Sequence, residues 1–281
     1  MGWLLDRIQR WAKTGRARTR DAAAAALVAL AEDPERGEHV LRLLHNIVEA
    51  SPRSRMSAVA VVVYGLVYRE SFVKQALDDL PAVLEINLQR QLIIANSLAQ
   101  LCANGFGGLV LDALSGWADD QENPDRANRS LAVFLRLTRW TVVTPQPQPQ
   151  PLLLLQLADE NEVHRERVVG LWRRVWNHCD HENLREALKG WLSNVQERGA
   201  GHETLDALMD DLAQNGAQHQ LLEWLVQWEE DPEGPQELAR IYREWLAGRH
   251  VTAPLIVRAW RVLVRGTRSL SARMRQRLGP R

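Results

Sequence analysis

Apolar residues along this chain come in runs headed by arginine, and the runs recur at nearly even intervals. They begin near Arg20 (AAAAALVAL), Arg55 (MSAVAVVVYGL), Arg90 (QLIIANSLAQL), Arg126 (ANRSLAVFLRL) and Arg165 (ERVVGLWRRVW), at spacings of 35, 35, 36 and 39 residues. A second amphipathic segment follows each of the first three runs, so the pattern predicts two helices per unit. One hairpin cannot bury its apolar face alone, and neighbouring units must stack to do so. Ala95, Leu98 and Leu101 are therefore expected in the interior, beside their counterparts in adjacent units.

Punctuation agrees with helices. Asp33-Pro34, Asn123-Pro124 and Asp231-Pro232 each set a capping side chain before a proline suited to the first helical position. Gly105 to Gly108, Gly199 to Gly201 and Asn215-Gly216 read as breaks between periodic segments. Leu184, Leu188, Trp191, Leu192 and Val195 follow a helical period, and Leu238, Ile241, Tyr242, Trp245 and Leu246 repeat it. Val59 to Tyr68 is rich in β-branched residues, but its alanine-rich entry and its place in the repeat predict helix. Thr144 to Pro151 (TPQPQPQP) predicts an extended polyproline spacer of roughly 3 Å per residue. The expected organisation is all-α stacked helical hairpins: N-terminal repeats over 1–143, the Pro-Gln spacer 144–151, C-terminal repeats over 152–266, and a basic tail 267–281.

The spacing and helix pairing over roughly residues 18 to 200 resemble the HEAT-like α-solenoid class. That resemblance implies a superhelix of alternating A and B helices. It also implies the usual role of such proteins as scaffolds and binding surfaces.

Charge changes the picture only locally. The chain has 35 basic and 35 acidic residues, so no global field draws it to nucleic acid or membrane. Both ends are basic: residues 7–20 hold five arginines and Lys13 with no acid, and residues 249–281 hold nine arginines with no acid. Lys13, Lys74 and Lys189 are the only lysines, a bias that points to a GC-rich bacterial genome. Cys102 and Cys179 stand far apart in a helical chain, which fits a reducing compartment rather than a disulfide scaffold. MGWLLDRIQRW reaches Asp6 and Arg7 before any apolar stretch develops, unlike a signal peptide. Gln91 to Leu111 is free of charge, yet its Gln, Asn, Ser and Gly residues read as a buried helix and a turn rather than a membrane span. The expected location is the cytoplasm.

Candidate chemistry is sparse. His181-Glu182 and His202-Glu203 begin like the zinc-protease HExxH but lack its second histidine. His178, Cys179 and His181 are close in sequence, but only the two histidines, three apart, can share a helix face. Asp180 or Asn183 capping a solvated turn explains this segment better than a metal does. Gly105-Phe106-Gly107-Gly108 has neither a preceding strand nor a P-loop lysine, so no phosphate cradle is expected. No cofactor or metal is expected. Trp172 with Trp176 and Trp224 with Trp228 form i, i+4 pairs, first as core packing and second as a groove that clamps a partner. Arg258, Arg261, Arg265 and Arg268 form one stripe of a helix whose other arc carries Ile256, Val257, Trp260, Leu263 and Val264. Trp117 with Asp119 is a short echo of the HEAT-like DNA glycosylases, too short to assign a catalytic residue. The leading reading is a non-enzymatic scaffold binding a protein partner through those tryptophans and arginines, alone or as one region of a larger bacterial regulatory protein. Nucleic-acid binding through the basic ends competes with it, and a glycosylase-type enzyme comes third.

Overall fold

The computed structural model describes residues 6–8, 10–11, 16–84, 88–139 and 151–248. They divide into two compact units, Met1–Leu184 and Arg185–Arg281. Among the described residues every regular element is a helix.

The first unit contains α1 (Ala17–Glu32), α2 (Gly37–Ala50), α3 (Arg55–Leu66), α4 (Glu70–Leu84), α5 (Leu88–Leu101), α6 (Gly107–Ala118), α7 (Pro124–Arg139), α8 (Pro151–Glu160) and α9 (Glu162–His178). Packing alternates: α1 lies on α3, α3 on α5, α5 on α7 and α7 on α9, while α2 lies on α4 and α4 on α6. The arginine-led runs thus make one layer and the segments between them make a second. Helix α2 shows why the second layer is amphipathic. Val40, Leu41, Leu44 and Val48 are buried at helical spacing, and Glu38, His39, Arg42 and Glu49 face water. Helix α3 is buried on most sides through Met56, Val59, Ala60, Val61, Val63 and Tyr64. Surrounding helices override the strand tendency of its valines. Ala95, Leu98 and Leu101 are fully buried, as their pattern requires.

Long-range hydrogen bonds within the first unit span intervals close to the sequence spacing of its apolar runs. Arg90 Nη2 donates to the Ser54 carbonyl at 2.6 Å and Ser97 Oγ to the Val61 carbonyl at 2.8 Å, each across 36 residues. Arg69 Nη1 donates to the Ala31 carbonyl at 3.0 Å across 38 residues. Start meets start and middle meets middle, so α3 and α5 are parallel and in register. Gly65 permits their closeness: a Cβ there would lie 2.6 Å from Ser97 Cα.

Gln89–Ala118 is the one stretch among the described residues long and apolar enough, by composition, to cross a membrane. It is not one straight helix. Asn104 leaves helical geometry and Gly105 adopts φ +90°, splitting it into α5 and α6. The Asn104 amide donates to the Gln100 carbonyl at 2.8 Å and closes the end of α5.

Caps follow expectation at Asn123, whose Oδ1 accepts from Arg126 N–H at 3.0 Å with Pro124 opening α7. The other two Asp-Pro sites differ. Asp33 Oδ1 accepts from Glu35 N–H at 2.9 Å, and the helix starts only at Gly37. Asp231 Oδ1 accepts from Glu233 N–H at 3.0 Å, and the helix starts at Gln236. Both aspartates close turns instead of helix ends, since their side chains reach the backbone two residues on. Of the Pro-Gln segment, 144–150 lies outside the described residues, and Pro151 opens α8, which packs on α6, α7 and α9.

The second unit is built from α10 (His181–Arg198, whose first turn belongs to the first unit), α11 (His202–Leu212), α12 (Gln218–Glu230) and α13 (Gln236–Ala247). Trp191, Leu192, Leu208, Met209, Leu225, Trp228 and Tyr242 fill its interior. Tyr242 Oη donates to Asp206 at 2.6 Å, and Gln196 Oε1 accepts from Glu237 and Leu238 N–H at 3.1 Å. Lys189 pairs with Asp231 at 2.5 Å, which holds that carboxyl below its ordinary range.

The helix break of the first unit recurs here. Asn215 leaves helical geometry, Gly216 adopts φ +91°, and the Asn215 amide donates to the Asp211 carbonyl at 2.7 Å. Residues 101–135 and 212–246 align without gaps, 111 positions apart, with 11 of 35 identical, including Asn104/Asn215, Gly105/Gly216, Leu114/Leu225, Trp117/Trp228 and Pro124/Pro235. That offset spans about three of the sequence intervals, so α11–α13 reproduce the local plan of α5–α7.

Two glycine substitutions separate packing from propensity. Gly65→Ala drives a methyl into α5 and should cost roughly 2 to 3 kcal/mol. Gly116→Ala, exposed on α6 with open space around it, should instead stabilise by about 0.5 to 1 kcal/mol. Urea unfolding of both variants checks the pair, and equal effects would contradict the close approach of α3 and α5.

Candidate functional site

Each first-layer helix is flanked by its neighbours and backed by the second layer, which leaves one outward sector. On α1 this sector carries Ala22, Ala25 and Ala29, all exposed. On α3 it carries Ala58 and Val62, half-buried, and Leu66, exposed. On α5 it carries Leu92 and Asn96, exposed, with Ile93 and Gln100 half-buried beside them. Between Asp21 and the arginines at the starts of these helices and Glu32 at the far end of α1, these sector residues carry no charge. Leu66 and Leu92 are 38% and 41% exposed and bracket the sector at its far end on α3 and its near end on α5. The second layer is the opposite, presenting Glu38, Arg42, Glu49, Glu70, Lys74 and Asp78 to solvent.

One edge of this sector is cationic. Because the helices are parallel, the starts of α1, α3 and α5 lie together, bringing Arg16, Arg18, Arg20, Arg53, Arg55 and Arg90 to one side with Asp21 as the acidic exception. Arg16, Arg18, Arg53 and Arg55 are exposed, and none has an ion pair among the described residues. Arg90 is buried; burial and the nearby charge of Arg20 both lower its pKa. The positive ends of three helices add to the same field. At the start of α7 the sign changes: Asp120, Glu122 and Asp125 gather there, and Arg126 pairs with Asp120 at 2.9 Å.

A buried polar network joins α2, α3 and α4. Asp79 accepts from Tyr64 Oη and, at 2.9 Å, from Gln75 Nε2, and its Oδ1 lies 2.8 Å from His45 Nδ1. With these donors around the carboxylate, Nδ1 carries the histidine proton toward Asp79, and Nε2 faces Glu49 at 3.6 Å. The bond to Asp79 raises the His45 pKa against the opposing pull of burial, and the charges of Asp79 and Glu49 raise it further. Burial, then the bond to Asp79, raise the Tyr64 phenol far above its ordinary range, so it stays a neutral donor. The carboxylate's acceptors are committed to holding three helices together.

The sequence-derived candidates fall as follows. Arg258, Arg261, Arg265 and Arg268 lie outside the described residues. Trp172 is fully buried and meets Phe134 edge-on at 6.2 Å. Trp224 and Trp228 are buried side by side at 6.0 Å. Trp176 is half-buried, with His181 edge-on at 5.5 Å. His178 and His181 are exposed, and Asp180 organises their turn by accepting from Asn183 Nδ2 at 3.1 Å. Among the described residues no three His, Cys, Asp or Glu side chains converge on a metal-sized space. Cys102 is buried, and its thiol is pushed up to about 12 by burial. Asp119 pairs with Arg174, and Asp112, one heptad earlier, with Arg167, tying α6 to α9. Sequence reasoning missed both His45–Asp79 and the uncharged sector. Signals for each existed: the pair is 34 residues apart, one repeat, and the arginine-led runs are apolar on more sides than one buried face needs. No protein-family model matches the chain, and no curated protein matches it either.

The His45 shift has a sign. Its folded pKa lies above the unfolded value, near 6.5. The contribution to stability is therefore complete below that value and lost as pH rises through the folded pKa. The stability difference between wild type and His45→Gln should shrink between about pH 6 and about pH 8, the range where histidine titrates. Asp79→Asn should abolish that trend. A difference that holds constant in thermal unfolding across this range would contradict the pairing.

Proposed function

We propose that the protein is a non-catalytic scaffold of the HEAT-like, stacked-hairpin kind, and that the outward sector of α1, α3 and α5 holds a protein partner. The observation that carries this reading is the uncharged, partly apolar sector itself, set against a heavily charged second layer. Helix packing at every second element and hydrogen bonds at intervals of 36 and 38 residues support the repeat. Polar groups that resemble catalytic machinery have structural work: Asp79 joins three helices, and Asp119 pairs with Arg174. A reducing cytoplasm suits the buried, unreactive Cys102 thiol.

Charges placed on the sector test the reading. Ala25→Glu with Leu92→Glu changes exposed positions only and should alter stability within about 0.5 kcal/mol per site. The double variant should lose the partner that wild-type protein retains from an extract of its host, whereas Arg42→Glu on the second layer should keep it. Retention by the first variant and loss by the second would move the binding face to the other layer and defeat the proposal.

A further inference from the structure

We infer that the occupant of the outward sector is an amphipathic helix of a partner protein, with an acidic flank lying along the arginine edge. The inference rests on the docking reading above and adds the partner's chemistry. Two features of the sector select a helix. Its groups on α1 and most of α3 are small or short, Ala22, Ala25 and Ala29 exposed and Ala58 and Val62 half-buried, so a cylindrical backbone can approach closely. Leu92, near the start of α5 and level with the start of α3, stands beside the arginine edge as a contact for an apolar side chain, while Leu66 closes the sector at the far end of α3.

Charge selects the flank. Arg16, Arg18, Arg53 and Arg55 are exposed at the starts of α1 and α3, none with an ion pair among the described residues, and Asp21 is the acidic residue described within those first turns. Carboxylates on the flank of a helix laid across α1, α3 and α5 would meet this edge, and guanidinium groups accept them in paired geometry. The acidic start of α7 would repel the same flank, which limits the footprint to three helices. At interaxial spacings of about 9 Å, three helices span about 18–20 Å. That is the length of a helix of roughly 13 residues.

Other occupants fit less well. A nucleic acid would satisfy the arginines but cover Leu66, Leu92 and Val62 with nothing apolar. A lipid surface calls for protruding bulky groups, and α1 offers it only alanines. A second copy docked through the same sector would bring another arginine edge and no carboxylate cluster to the contact.

Two 14-residue peptides, held helical by a side-chain staple, provide the test. They share one Leu/Ala face, and the flank is glutamate in one and lysine in the other. Fluorescence anisotropy with the full chain should show the glutamate peptide binding at least about tenfold tighter at about 50 mM salt, where the edge is weakly screened. The preference should fall as salt rises and reverse in the triple variant Arg18→Glu, Arg53→Glu, Arg55→Glu, with circular dichroism confirming its fold. Equal binding of both peptides, abolished by Ala25→Glu with Leu92→Glu, would overturn the acidic occupant and leave the docking face standing. Failure of both peptides to bind, or binding untouched by that double variant, would remove the inference and the face together. Duplex DNA displacing the glutamate peptide through the same arginines would overturn it in favour of nucleic acid. A dimer in sedimentation that Leu92→Glu dissociates would overturn it in favour of a second copy.

Discussion

The contact between α3 and α5 sets the register on which the first unit depends. Arg90 and Ser97 lie two helical turns apart on one helix, and each reaches a carbonyl 36 residues earlier. Two bonds at separate heights fix both the slide and the rotation of α5 against α3. Gly65 makes this possible by letting the backbones approach where any side chain would hold them apart. Burying a guanidinium is costly, and Arg90 is buried with Arg20 nearby as a like charge. Its bond to the Ser54 carbonyl offsets part of that cost and is lost if α5 slips by a residue. A device that is costly when misplaced discriminates against wrong registers more than it stabilises the right one.

Electrostatics then follow from layer identity. Second-layer helices meet their neighbours through one face only, so the other face is charged, and one pair, His45 with Asp79, ties α2 to α4 within the first unit. Whereas α7 and α9 carry charge, the first-layer helices α1, α3 and α5 are, past their arginine-bearing starts, rich in apolar residues on more than their buried faces. Their outward sector has inherited the same alphabet of Ala, Val, Leu and uncharged polar groups. Solubility does not explain that choice, since one glutamate per helix would be tolerated there. The charge excluded from the sector appears at its edge, where helix starts and arginines coincide.

The helical class and its spacing were readable because apolar runs of fixed interval can satisfy their faces in few ways. The interior positions of Ala95, Leu98 and Leu101 followed from that period alone. So did the breaks at Gly105 and Gly216, where an asparagine–glycine pair interrupts an otherwise continuous pattern. Direction was the harder matter. A helix apolar all round, such as α3, has no contrast between faces, so periodicity cannot say which side meets water. His45 and Asp79 each sit on a helix that reads as amphipathic, and their meeting depends on stacking that letters do not encode. Asp33 and Asp231 looked like helix caps because a cap and a turn use the same side-chain bond. The likeness of 101–135 to 212–246 was present in the letters, but at three intervals rather than one.

The paired Asn-Gly breaks also give the chain a chemical clock. An asparagine followed by glycine loses ammonia readily, because the unhindered glycine nitrogen can close a five-membered imide on the side-chain carbonyl. In this fold each asparagine amide is held by the carbonyl four residues back, at 2.8 Å for Asn104 and 2.7 Å for Asn215, away from that ring closure. Ageing at these positions therefore tracks how often the helix ends open. Once the imide hydrolyses, a carboxylate replaces the amide donor beside the Gln100 or Asp211 carbonyl, at the negative end of its helix. Repulsion there keeps the end open, so an old molecule would carry its damage at the two equivalent joints between helices.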